Sequence, residues 1–324
     1  MKVLITGGAG FIGHHVVDEL INKTDWFLTI IDRLDDSGNL NRLAELNLPK
    51  GRVKFIYHDL KAPFNDLLMS QIGRHDYILH LAALTHVDRS IEEPMLAVMD
   101  NVVATCNILD FARKTGCEKF LYFSTDEVFG PAPPGVQYKE WDRYNSGNPY
   151  SATKAGGEEL ALAFHNTYKV PVIITHTMNV IGERQHPEKF VPMTVKKVRD
   201  GELVTIHANK EKTKAGSRFY IHAGSVANAV LFLVGKGEVG EKYNIVGSRE
   251  VDNLELAEMI ADSQGLPLKY EMVDFHSSRP GHDLRYALDG EKMAKMGWAP
   301  PEDIEHSIRR VVEWTLLNKH WLIN

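Results

Sequence analysis

A glycine-rich turn between a short apolar run and a helical pattern narrows the fold of this 324-residue chain further than any other feature. Residues 2–6, Lys-Val-Leu-Ile-Thr, read as a buried strand. Thr6-Gly7-Gly8-Ala9-Gly10-Phe11-Ile12-Gly13 follows, and a helical pattern runs over 11–21. Gly7 permits the tight turn, Gly10 lets backbone approach a pyrophosphate at the helix N-terminus, and Gly13 lets the helix pack on the sheet. Strand, loop and helix together form the context that a dinucleotide-binding turn requires.

Further apolar runs lie at 27–31, 53–57, 77–81, 119–123 and 170–175, with helical stretches at 94–115 and 150–168. Strands alternating with helices imply right-handed crossovers and a parallel sheet buried on both faces. After about residue 178 the alternation weakens. Strand candidates appear at 203–206 and 243–246, and helical patterns near 223–234, 254–264 and 304–317. The expected fold class is α/β: a Rossmann-type doubly wound parallel sheet with a smaller C-terminal α/β lobe for substrate.

Composition removes other classes. Hydrophobic residues make up 44% and charged residues 25%, which excludes a disordered or collagen-like chain. A formal charge of −6 gives no global field favouring nucleic acid. Two cysteines, Cys106 and Cys117, give no disulfide framework and no metal spacing, so no metal site is expected and the thiols read as reduced. That suggests a cytoplasmic protein. Continuous apolar runs fall short of the ~20 residues of a membrane span. The apolar N-terminus holds four glycines in seven residues, and no small-residue cleavage site follows, so no signal peptide is expected.

Asp32 ends the second strand about 20 residues past the glycine loop, where a carboxylate accepts hydrogen bonds from the adenosine ribose and disfavours a 2′-phosphate. That favours NAD over NADP, although the neighbouring Arg33 is a residue type that holds such a phosphate. Asp59, with Leu60 beside it, fits a contact to the adenine edge and equally fits a solvated loop. Leu81, Ala82 and Ala83 follow the fourth strand, where a cofactor passes close to backbone.

Tyr150 and Lys154 stand four apart on one helix face. A nearby ammonium lowers a tyrosine pKa, so Tyr150 is expected to act as a base with Lys154 as its partner and as a ligand of the nicotinamide ribose. Ser124-Thr125-Asp126-Glu127 lies at the C-terminal end of the fifth strand, where open parallel sheets place their chemistry. Thr125 can hydrogen-bond the oxygen that Tyr150 deprotonates. Paired carboxylates there can divide acid and base work.

These motifs resemble the extended short-chain dehydrogenase/reductase family, and within it the nucleoside-diphosphate-glucose 4,6-dehydratases of the dTDP-glucose or UDP-glucose type. The likeness runs through 6–13, Thr-His-Val-Asp-Arg-Ser at 85–90, Ser-Thr-Asp-Glu-Val-Phe-Gly at 124–130, Tyr150 with Lys154, His-Pro-Glu-Lys at 186–189 and Arg-Pro-Gly-His-Asp at 279–283. The Asp126-Glu127 pair is its specific part, since related C4 epimerases usually carry small residues there.

The resemblance implies bound NAD and a mechanism in three steps. Tyr150, assisted by Thr125, removes the C4 hydroxyl proton as hydride passes to NAD. Glu127 removes the C5 hydrogen while Asp126 protonates the departing C6 hydroxyl. Hydride then returns to C6, leaving a 4-keto-6-deoxy sugar nucleotide. On the substrate side it implies Thr85, His86, Asn179, Lys189, Arg218, Arg279 and His282. Residues 1–178 are the expected NAD-binding domain, with a returning segment near 218–238, and 179–324 the expected sugar-nucleotide lobe. Homodimers through two long helices are common in the family. The chain departs from the family pattern at Phe129, His176 (a common arginine), Ser225 and Val180-Ile181-Gly182. A C4 epimerase on the same scaffold and a non-catalytic dinucleotide-binding protein are the competing readings.

Overall fold

The structure, a computed structural model, describes residues 1–35, 37–275 and 284–323. Strands β1 (Lys2–Thr6), β2 (Phe27–Asp32), β3 (Val53–Tyr57), β4 (Tyr77–His80), β5 (Lys119–Thr125) and β6 (Val172–Thr177) form where the apolar runs predict them. Beyond them come β7 (Val180–Ile181), β8 (Val204–Ala208), β9 (Ser217–Arg218), β10 (Ile221–His222), β11 (Lys242–Ile245), β12 (Val251–Asp252) and β13 (Tyr270–Asp274). Seven strands make one parallel sheet in the order β11-β6-β5-β4-β1-β2-β3.

Both faces of that sheet are covered, which is why its strands read as continuous apolar runs. Val3, Ile5, Leu28 and Ile30 pack under the Phe11–Lys23 and Ala223–Lys236 helices. On the other face Leu4, Ile31, Ile78, Phe120 and Ile174 meet Ile108, Leu109 and Phe111 of the helix ending at Thr115. The returning chain reaches further than 218–238, because Lys242–Ile245 adds the seventh strand beside β6. The strand order reverses at β1, whose neighbours are β2 and β4. Chain leaving β1 and β4 departs to opposite faces there, and this opens the crevice at their carboxyl ends.

The stretch Pro94–Thr115 departs from a simple α-helix. Pro94 starts it, but Met99–Val103 is a π-turn before α-helix resumes at Ala104–Thr115. By length and apolarity this stretch is long enough to cross a bilayer, contrary to the continuous-run count, and half of its most apolar window is buried in the fold. The Pro149–Tyr168 helix has a capping box, Asn148 with Ser151, and proline in its first turn.

In the second half, the Phe190–Asp200, Asn253–Gln264 and Ile304–Leu317 helices share a core of Val195, Leu256, Ile260, Ile308 and Val312. Strand β13, which the sequence reading lacks, pairs in parallel with β8.

Gly157 sits where the Pro149–Tyr168 helix comes closest to its neighbours. A Cβ there would lie 2.4 Å from the Tyr122 hydroxyl and 2.8 Å from the Asn101 carbonyl. Gly157→Ala should therefore lower unfolding stability by about 1–3 kcal/mol. Urea denaturation at fixed pH checks this, and an unchanged midpoint would contradict the close approach.

Candidate active site

The glycine loop is built to the tolerance its sequence implies. Gly7 has φ of 72° and donates its N–H to the Ile31 carbonyl at 2.9 Å. A Cβ on Gly7 would meet Ala82 backbone at 2.8 Å, and one on Gly13 would stand 2.0 Å from the Gly7 carbonyl oxygen. Strand β1, its loop and the loop after β4 thus pack backbone to backbone. No side chain caps the helix opened by Gly10, leaving its first N–H groups for an anion. Asp32 is buried; its carboxylate accepts from the N–H of Ala9 at 3.0 Å and of Leu34 at 2.9 Å. Burial raises its pKa, against these hydrogen bonds. Loop, helix start and carboxylate fit a dinucleotide.

Arg33 is not free for a phosphate. It makes a two-pronged pair with Asp100, both contacts 2.6 Å, and donates Nε to Asp35 at 2.7 Å. Asp59 lies 3.7 Å from the same guanidinium, and Lys61 holds it at 3.3 Å. The Leu60 carbonyl accepts from Asn107 at 2.8 Å.

After β4, Leu81 donates its N–H to the Thr6 carbonyl and Ala82 to the Thr6 hydroxyl, both at 3.2 Å. The next residue but one, Leu84, is gripped by Asn101, which accepts from its N–H at 2.8 Å and donates to its carbonyl at 3.1 Å. The same Asn101 amide donates to Thr153 at 2.9 Å, on the helix that carries Tyr150.

Strand β5, the 3-10 turn Asp126–Phe129 that follows it and the Pro149–Tyr168 helix bring together all five expected catalytic residues. The Thr125 hydroxyl neighbours Tyr150 and partly offsets the rise in its pKa, and Thr125 donates to Asp126 Oδ1 at 3.0 Å. Asp126 is buried, and its Oδ2 has no hydrogen-bond partner among the described residues. Burial, reinforced by the Glu127 charge, pushes its pKa up to about 7, while Arg218 pulls the other way. Glu127 keeps a polar partner, Asn148, which donates to it at 3.2 Å. Two adjacent carboxyls thus have unlike surroundings.

One expectation is corrected. Lys154 does not lower the Tyr150 pKa, which burial and the Glu127 charge raise instead. Lys154 Nζ donates to the Phe123 carbonyl at 2.6 Å and stands over the Tyr122 ring. Burial brings its own pKa down to about 7. Desolvation of both groups outweighs their helical spacing.

On the substrate side, the field of Arg218 reaches Asp126. Its guanidinium stacks on Tyr286 and donates to the Ser217 and Leu284 carbonyls, both at 2.7 Å. Asn179 is exposed and its carbonyl accepts from Ile221. Lys189 is half-buried at the start of the Phe190–Asp200 helix. Thr85 is exposed, and His86 caps the Val87–Glu92 helix. Arg279 and His282 lie outside the described residues.

Sequence reasoning missed Asp100, Asn101, Asn148 and Ser90, whose hydroxyl accepts from the Tyr150 N–H at 3.0 Å. Asn148-Pro149 carried a readable cap signal. Asp100 and Asn101 sit inside a helical pattern that conceals the π-turn. Among the described residues no cluster could hold a metal.

A family model described as GDP-mannose 4,6 dehydratase matches residues 4–311. The chain belongs to this family. A dTDP-glucose 4,6-dehydratase of Escherichia coli is 36% identical, over 99% of this chain and 95% of that protein. One from an Actinoplanes species is 36% identical, over 99% of both chains. Among solved structures, a dTDP-glucose 4,6-dehydratase from Streptomyces venezuelae with NAD and TYD bound superposes with a TM-score of 0.91 at 32% identity, covering 100% of this chain and 99% of that one. A Thermus thermophilus UDP-glucose 4-epimerase complex with NAD gives 0.86 at 28%, covering 97% and 98%. A dehydratase and an epimerase thus share the scaffold of this family member.

The Asp126 environment has a sign that can be checked. Unfolded, its carboxyl releases a proton near pH 4; folded, it holds one up to about pH 7. Its contribution to stability is therefore present below pH 4 and is lost as pH rises through 7. Asp126→Asn should be about as stable as wild type at pH 4–5 and more stable at pH 8. A stability difference that is flat with pH in thermal melts would show an ordinary carboxylate.

Proposed function

We infer that this protein is an NAD-dependent 4,6-dehydratase of a nucleoside-diphosphate glucose, forming the 4-keto-6-deoxy sugar nucleotide. The observation that carries it is the unlike pair just past β5: Asp126, buried with one oxygen unpartnered among the described residues and its pKa pushed up to about 7, beside Glu127, which accepts from Asn148. An epimerase exchanges configuration at C4 and needs no acid–base pair for a C5/C6 elimination. The two curated dehydratase relatives at 36% identity favour dTDP-glucose as the substrate.

Bound NAD supplies the hydride acceptor at C4 and the donor at C6. Gly7, Gly10, Phe11, Ile12 and Gly13 would hold its pyrophosphate, Asp32 the adenosine ribose, and Leu81, Ala82 and Ala83 would line its path. Tyr150 relays the C4 hydroxyl proton as the C–H bond opens: the phenol gives its own proton to the neutral form of Lys154 and takes the C4 hydroxyl proton in return. Thr125, beside the phenol, orients the same oxygen. Lys154, with a pKa near 7, exchanges a proton close to neutrality and holds the helix on Phe123. Glu127, which accepts a hydrogen bond from Asn148, removes the C5 proton that the ketone has acidified. Asp126 carries the proton that the departing C6 hydroxyl needs. Arg218 places positive charge toward the diphosphate, with Asn179, Lys189, Thr85, His86, Arg279 and His282 as further substrate contacts.

The assembly we propose is a homodimer through the 94–115 and 149–168 helices, in the cytoplasm. Ile91, Met95, Met99 and Tyr168 are exposed apolar side chains on or beside those helices. Sedimentation at micromolar concentration should give twice the chain mass of 36.5 kDa. A monomer there would overturn the dimer.

Incubation with dTDP-glucose followed by alkali should give the ultraviolet absorbance of a 4-keto-6-deoxy product; an epimerised sugar gives none. Glu127→Gln should lower kcat by about 10²–10⁴-fold. It should still form some reduced nicotinamide absorbance, yet stop C5 hydrogen exchange with deuterated solvent. Tyr150→Phe should abolish both signals. Wild-type turnover and exchange in Glu127→Gln would remove the base from this residue.

A further inference from the structure

Discrimination between NAD and NADP is usually traced to the acidic residue at the end of the second strand. Here a second feature bears on it. Arg33 follows Asp32 directly, in the position from which an arginine commonly serves a 2′-phosphate. Its guanidinium is spent elsewhere: Nη1 and Nη2 each lie 2.6 Å from an Asp100 oxygen, Nε donates to Asp35, and Asp59 stands 3.7 Å away. Lys61 also reaches Asp100 at 3.6 Å and Asp59 at 3.3 Å. Together with Asp32, the group holds four carboxylates against two cations.

Asp100 is 4% exposed and comes from the π-turn Met99–Val103. π-Turns re-aim side chains and gather at functional sites. A planar fork on a carboxylate is the strongest geometry an arginine has.

We propose that Asp100 is a second, positioning determinant of cofactor choice: by gripping Arg33 from the π-turn it withholds that guanidinium from a 2′-phosphate. The inference rests on the NAD reading given above and deepens it. Asp32 rejects the phosphate directly. Asp100 removes the residue that could otherwise rescue it and adds a negative charge behind it. Removing Asp32 alone therefore leaves Arg33 locked, and NADP gains little.

The test is equilibrium binding of NADH and NADPH to purified protein, read by nicotinamide fluorescence. Wild type should bind NADH and reject NADPH. Asp32→Ala should weaken NADH and improve NADPH by no more than about threefold. Adding Asp100→Asn to Asp32→Ala should improve NADPH about tenfold or more, the scale of a released charge-assisted contact. Adding Arg33→Ala to that pair should cancel the gain, a non-additivity that a merely structural Asp100 would not show. Asp100→Thr repeats the test with a smaller side chain if the Asn variant does not fold. NADPH affinity left at the Asp32→Ala value, or a gain that survives Arg33→Ala, would overturn the proposal. Wild type binding neither nucleotide would overturn the cofactor reading itself.

Discussion

The register of the Pro149–Tyr168 helix on strand β5 is the constraint on which the site depends. Tyr122 Oη donates to the Lys154 carbonyl at 3.0 Å, and Lys154 Nζ donates back to the Phe123 carbonyl at 2.6 Å. Consecutive strand residues thus hold one helical residue by both its main chain and its side chain. Gly157, one turn on, allows the approach by leaving room for the Tyr122 hydroxyl. With that register set, Tyr150 falls opposite Thr125 at the strand's end. The groups involved are buried, so a shift of the helix would leave several polar atoms without partners, each at a cost of about 1–3 kcal/mol.

A second buried polar group fixes the helix further along the same face. Glu158 accepts from Lys242 at 2.9 Å and from His176 at 3.1 Å, and His176 Nδ1 bonds Asn244 at 3.0 Å. Lys242 and Asn244 belong to β11, the strand contributed by returning chain. His176 stands where the family commonly has arginine, and Lys242 shares its Glu158 partner. The opposite anchor is the π-turn, where consecutive residues point to different ends of the crevice. Asp100 grips Arg33 near Asp32, while Asn101 ties the loop after β4 to Thr153. The cofactor-side loops and the catalytic helix are therefore braced against one element.

What could be read in the sequence was local. The strand–glycine–helix pattern announces β1 and its helix because each residue's role there is played within a dozen positions. Thr125, Asp126, Glu127, Tyr150 and Lys154 were legible because strand ends and i,i+4 spacing place them without reference to the rest of the chain. The π-turn was hidden, since one extra residue in a helical turn leaves the apolar periodicity of 94–115 nearly intact. Strand β13 was missed and β11 left unplaced for a different reason. Their partners, β8 and β6, lie more than 60 residues away, and pairing at that distance leaves no pattern in either segment. The relation of Tyr150 to Lys154 misled, because spacing reports proximity and not the desolvation that dominates once both are enclosed.

That enclosure separates the two carboxyls. Side by side in water, Asp126 and Glu127 would both be ionised at neutral pH and neither could serve as an acid. Folding gives them different surroundings: one Asp126 oxygen meets only the Thr125 hydroxyl, the other has no partner among the described residues, and Glu127 keeps an amide donor. Desolvation pushes the Asp126 pKa up, and the charge of its neighbour drives it the same way. Asp126 thereby holds its proton up to about pH 7. Reversing the two would fail, because the amide of Asn148 is tied to position 127 by the cap of the very helix that carries Tyr150. The difference between the two carboxyls is thus written in the start of one helix.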